Sequence, residues 1–95
     1  IDIGGQTILT DHIENYPGFN LISGPELISK FHAQAIKFGA EFIIGEANKI
    51  KKKGNLFEVS IADGKKYESK TVIISSGKTP KRLGIQGEDK AILCA

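Results

Sequence analysis

Residues 71–77 read Thr-Val-Ile-Ile-Ser-Ser-Gly, a short run that is apolar on both faces a strand would present. Such a run fits a strand covered on both sides, as in a parallel sheet between layers, rather than one half open to water. Gly77 closes the run. In open α/β sheets ligands lie beyond the carboxyl ends of the strands, and a glycine there lets the backbone come close to them. A glycine needed only for the turn explains the same residue. The expectation is a buried strand at about 71–75.

The segment before it is organised by a helix. Ser23 with Glu26 three residues on is a capping box, and Pro25 sits in the first turn, where its missing N–H is harmless. Leu27, Phe31, Gln34/Ala35 and Phe38 recur at steps of three and four, giving one apolar stripe. Gly39 suits the left-handed position that stops a helix. These signals predict a helix at about 24–38, followed by a short apolar strand at 41–44, Glu-Phe-Ile-Ile. A meander is predicted over about 47–69. Ala47–Lys53 leads through Gly54-Asn55 into a stretch alternating Phe57, Val59 and Ile61 with Glu58 and Ser60, and Asp63-Gly64 turns it into Lys65–Ser69. The order strand, meander, buried strand resembles a parallel sheet interrupted by a small antiparallel one.

Composition narrows the class. Ninety-five residues, 40% hydrophobic and 25% charged, suit one small soluble domain, and no internal boundary or repeat is visible. A net charge of +2 is too small to imply a nucleic-acid partner. No run approaches the roughly 18 apolar residues of a membrane span, and the opening has no signal-peptide pattern. The chain lacks Met even at position 1, and its single cysteine, Cys94, stands one residue from the end. The expectation is a piece of a longer protein, from a reducing compartment.

Several residues invite a chemical reading. Gly4-Gly5-Gln6 combines a backbone that can approach a ligand with an amide offering both donor and acceptor to a flat polar ring; a plain turn accounts for the same residues. In Ile13–Gly18, Pro17-Gly18 explains a turn but not Glu14-Asn15 ahead of it. The Asn15 amide can satisfy either backbone or a ligand. Lys49, Lys51, Lys52 and Lys53 invite a phosphate, but alternation splits them across two faces, which is how lysines guard a sheet edge. His12 and His32 have no Cys, Asp or His at ligand spacing along the sequence, so no metal is assigned. No catalytic residue emerges.

Together the pieces form an ordered set: Gly4-Gly5-Gln6, Glu14–Phe19, Gly24–Leu27, Gln34–Ile43, Thr71–Gly77 and Leu83–Glu88. In order and spacing the set resembles the bacterial-type thioredoxin reductases, over nearly the whole chain. The resemblance implies part of an FAD-binding domain spanning 1–95, an α/β three-layer Rossmann-like fold with an inserted three-stranded antiparallel meander. It implies that Gly4, Gly5, Gln6, Thr10 and Asn15 frame the flavin, that Glu46 and Ala47 lie beside the adenine, and that Ser75, Ser76 and Gly77 stand where the family has Ala-Thr-Gly.

The G-x-G-x-x-G fingerprint that seats a pyrophosphate on a helix N-terminus, the NADPH domain and a complete Cys-x-x-Cys are not in these 95 residues. Cys94 is the candidate first half of that pair, although Glu88–Cys94 is shorter than the family's spacing. The implied intact enzyme is a cytoplasmic homodimer passing electrons from NADPH through FAD to a cysteine pair and then to thioredoxin, with neither nucleic acid nor membrane as partner. Two alternatives remain open. One is the related flavoprotein subunit of alkyl hydroperoxide reductase. The other is an autonomous small α+β module binding an anionic partner through the lysine-rich hairpin.

Overall fold

The computed structural model describes residues 3–78, 84 and 86. The chain divides into two compact units, residues 1–40 with 77–95, and residues 41–76. The sequence shows no such boundary.

In the first unit a 3-10 turn, Gly5–Leu9, leads to helix α1, Gly24–Lys37. The Ser23 hydroxyl accepts from the Glu26 N–H at 3.3 Å, and Pro25 lies in the first turn. At the other end Gly39 adopts φ +90°. Its N–H donates to Ile36, and the Ala40 N–H donates to Ala35, both at 3.0 Å. This double bond pattern is the Schellman stop, which satisfies carbonyls the last turn would otherwise orphan. The apolar stripe is only partly covered. Leu27 is 4% exposed, whereas Phe38 is 78% exposed and Phe31 is open on one side.

Between the turn and α1 runs a loop pinched shut by two bonds, Ile13 N–H to Ile22 O at 2.8 Å and Ile22 N–H to Ile13 O at 3.0 Å. Its tip is the four-residue turn Tyr16-Pro17-Gly18-Phe19, closed by a Phe19 N–H to Tyr16 O bond of 3.3 Å. Gly18 has φ +103°. Proline followed by a left-handed glycine is the signature of a type II turn. The Tyr16 ring packs on Phe31 of α1 at 5.4 Å between centroids, so the loop is fastened to the helix as well as to itself.

The second unit is a three-stranded antiparallel sheet of β1 (Ala47–Lys53), β2 (Leu56–Ile61) and β3 (Lys66–Ser69), in that order. Gly54, at φ +58°, supplies the positive torsion that the tight β1–β2 turn requires. The β2–β3 turn is held by Gly64 N–H to Ile61 O at 3.0 Å and by the Asp63 carboxylate, which accepts from the Lys65 N–H at 2.9 Å. Register slips by one between Ala47 and Lys49, a bulge at the start of β1.

Cross-strand rows sort the two faces. Ile50, Val59 and Tyr67 share one row; Lys51, Glu58 and Glu68 share a row on the opposite face. Lys51 and Lys53 therefore share a face from which Lys52 is excluded, as alternation requires. The most buried residue of the sheet is Glu58, not one of its apolar neighbours. Its side chain, 8% exposed, pairs with Lys53 Nζ at 2.8 Å and lies 3.7 Å from Lys66 Nζ. The hydrogen bond from Lys53 holds the Glu58 carboxyl below the usual carboxylate value, against desolvation, which acts the other way. The same bond raises the Lys53 ammonium above its ordinary value.

Two expected strands are absent from the described structure. Residues 41–44 and 71–75 join no ladder, and Ile73 and Ile74 are 91% and 73% exposed. The physical reason is pairing. A strand exists only where its backbone pairs in a ladder, and among the described residues neither segment is paired in one. The expectation of a buried strand at 71–75 is corrected accordingly for this chain. No helix among the described residues is long and apolar enough to cross a membrane.

Candidate functional site

The first unit holds six of the residues singled out in the sequence, Gly4, Gly5, Gln6, Thr10, Asn15 and Gly77. The 3-10 turn is closed by Thr7 N–H to Gly4 O at 3.1 Å and Thr10 N–H to Thr7 O at 3.2 Å. It is fastened to α1 by Gly24 N–H donating to Thr10 O at 2.8 Å. Thr10 is thus the hinge between turn and helix through its backbone.

The two glycines of the pair differ. A Cβ on Gly4 would stand 2.6 Å from Ile8 and 2.9 Å from Ile28, so Gly4 is side-chain-free because the turn packs on itself and on α1. A Cβ on Gly5 would meet nothing within 4 Å, and the backbone there, at φ +53°, lies open. Of the pair, Gly5 is the residue whose surface a ligand can reach.

The Gln6 side chain spans most of the sequence. Its Nε2 donates to the Lys78 carbonyl at 2.6 Å, across a separation of 72 residues. This bond joins the Gly-Gly-Gln turn to the segment that follows Ser75-Ser76-Gly77, two stretches the sequence reading had linked only by resemblance. Gly77 has φ +70° and open space where a Cβ would stand. Asn15 is exposed, and among the described residues neither the pinch at Ile13–Ile22 nor the turn at Tyr16–Phe19 engages its amide. The turn is therefore explained without Asn15.

In the second unit, Glu46 lends its carbonyl to the Ala62 N–H at 2.9 Å, and Ala47 opens β1 opposite Ile61. Both side chains are exposed, as are Ser75 and Ser76. Cys94 and most of Leu83–Glu88 lie outside the described residues. Among the described residues no group of three His, Cys, Asp or Glu side chains is placed to hold a metal ion.

Sequence reasoning missed Gly24. A Cβ there would overlap the Thr7 carbonyl and crowd the Thr10 oxygen, so the turn and the helix start meet backbone to backbone at this residue. The signal was present, since Gly24 stands inside the capping box, but Ser23, Pro25 and Glu26 explained the helix start without it.

No protein-family model matches the chain. Curated relatives do. It is 42% identical over 85 residues to a thioredoxin reductase of Bacillus subtilis, covering 90% of this chain and 27% of that protein. A thioredoxin reductase of Helicobacter pylori is 39% identical over 88 residues, covering 92% and 28%. Among solved structures, thioredoxin reductase from Streptococcus pyogenes superposes with a TM-score of 0.80 at 45% identity, over 90% of this chain and 28% of that one. The Lactococcus lactis thioredoxin reductase gives 0.80 at 34% identity, over 92% and 28%.

The chain matches one segment of the thioredoxin reductases. It spans between a quarter and a third of the length of those relatives. Within this thioredoxin-reductase-like segment, the conformations described above supply what the motifs leave unsaid: Gly4 serves packing, Gly5 and Gly77 keep open backbone, and Gln6 connects them.

Proposed function

We propose that the chain is the FAD-binding part of an NADPH-dependent thioredoxin-disulfide reductase, built as a three-layer Rossmann-like domain and working in the cytoplasm as a homodimer. The observation that carries the reading is the Gln6–Lys78 hydrogen bond. It ties together the two stretches that such a reading requires around one ligand.

The residues present fit FAD. Open backbone at Gly5 and Gly77, where a Cβ would fill otherwise empty space, suits contact with a flat ring. Gln6 keeps its carbonyl oxygen and its second amide hydrogen, and Asn15 offers a whole amide, for the polar edge of such a ring. In this reading Gly5, Gln6, Thr10, Asn15 and Gly77 hold the cofactor from the first unit, with Gly4 supporting the turn. The resemblance extends the same role to Glu46, Ala47, Ser75 and Ser76, whose side chains are exposed.

When bound, FAD supplies the two-electron carrier between NADPH and a disulfide. This chain's residues bind and orient; no proton transfer is assigned to any of them. The lysine-rich hairpin favours no second reading, because Glu58 shares the face of Lys51 and Lys53, pairs with Lys53, and lies 3.7 Å from Lys66 of β3.

The test compares Gly77→Val with Gly64→Val in the protein expressed from its whole reading frame. Both glycines have positive φ and open surroundings, so both variants carry a similar backbone strain of about 1–2 kcal/mol. Only Gly77→Val should release FAD on dilution, followed by flavin absorbance after gel filtration. Equal retention in the two variants would sink the proposal.

A further inference from the structure

We infer that Gln6 is a positioning residue, whose amide holds the Gly77-Lys78 segment at the Gly5–Leu9 turn before any ligand arrives. What the two segments are held for rests on the flavin reading above; the tether itself does not.

One end of the tether is rigid. The Gln6 backbone belongs to a turn closed by two hydrogen bonds, pinned to α1 through Thr10 and Gly24, and packed at Gly4 against Ile8 and Ile28. The other end is loosely held. Residues 71–78 join no ladder, and beyond the Ser69 hydroxyl's bond to the Thr71 carbonyl the described residues give this stretch no other hydrogen bond than Gln6 to Lys78. A donor on a fixed frame therefore sets the place of the otherwise untethered Gly77-Lys78 segment.

The chemistry of the amide suits the task. One N–H of Nε2 is committed to the Lys78 carbonyl, while Oε1 and the second hydrogen stay available. A ligand taking those groups and the open backbone of Gly77 would find both already ordered, which removes part of the entropy of binding.

The experiment uses Gln6→Met and Gln6→Glu. The first keeps the length without a donor, and the second turns an acceptor toward the carbonyl. Tryptic cleavage after Lys78, scored by fragment mass without FAD, reads the tether directly. Cleavage should be about three- to tenfold faster in both variants, the range one hydrogen bond of this kind supports. An unchanged rate in Gln6→Met overturns the inference, even if FAD affinity falls, because that loss would mean direct contact alone. Faster cleavage with unchanged FAD affinity in the whole protein upholds the tether and removes the flavin reading instead.

Discussion

Replacing Gly24 with alanine adds one methyl group at the place where the helix start and the 3-10 turn touch. The new Cβ would overlap the Thr7 carbonyl oxygen, with the Thr7 carbonyl carbon at 2.8 Å and the Thr10 oxygen at 2.9 Å. These are backbone atoms, so no rotamer change can clear them. Overpacking of this kind costs about 1–3 kcal/mol. Pushing the turn away also stretches the Gly24 N–H to Thr10 O bond of 2.8 Å, worth about 1 kcal/mol. Against this, alanine stabilises a helix over glycine by up to about 1 kcal/mol. The net expectation is a loss of about 1–4 kcal/mol, with a mid-range of about 2.5, against roughly 1–2 kcal/mol for Gly5→Ala, which meets only the strain of its positive φ. Urea unfolding followed by helical ellipticity measures both. With a slope of about 1 kcal/mol per molar, the midpoint should fall by about 2 M for Gly24→Ala. The reasoning fails if Gly24→Ala is as stable as the parent, or if Gly5→Ala is the more damaging change.

Four other expectations follow from the structure. Asn15→Ala in the whole-frame protein should leave the Tyr16–Phe19 turn intact but weaken FAD retention by about 1–3 kcal/mol, the usual penalty for leaving a polar partner unsatisfied, as read by a flavin titration. Glu58 has its carboxyl pKa lowered, so its contribution is full above the ordinary carboxylate value and is lost as pH falls through the lowered one; Glu58→Gln should flatten the acid limb of sheet stability measured by circular dichroism. Lys53, raised, contributes below its ordinary value of 10.5 and loses that contribution as pH climbs beyond it, so Lys53→Met should flatten the alkaline limb. Finally, the 95-residue chain exposes Phe38, Ile44, Ile73 and Ile74, and it should self-associate in light scattering, with Ile73→Lys plus Ile74→Lys reducing the mass.

The features legible in the sequence are those whose cause is local. Ser23, Glu26 and Gly39 act within one helical turn of the ends they form, and Gly54 and Asp63-Gly64 act within their own turns. Each can be read without knowing what lies across from it. The strands proposed at 41–44 and 71–75 depend on neighbours, and an apolar run carries no information about whether a neighbour is within the same chain. Glu58 was hidden for a similar reason. In the strand it alternates as a water-facing residue should, and only the register that brings Lys53 and Lys66 to it turns that face into the covered one. The candidate site divides the same way. Asn15 and Gly77 stand out by type, but the split between Gly4 and Gly5 depends on Ile8 and Ile28, and the role of Gln6 depends on a carbonyl 72 residues away.

That separation bears on the order of assembly. Each meander strand bonds only to its neighbour in sequence, through connections of two and four residues, so the closures it needs are short and fast. The Gln6–Lys78 bond closes a span that contains both α1 and the whole sheet. A flexible loop of that length is entropically dearer to close than a hairpin, though only logarithmically so. Once helix and meander have formed, much of the span is no longer flexible, and the closure becomes easier. The tether is thus expected to form last, and to report, when it forms, that everything between its two ends has already folded.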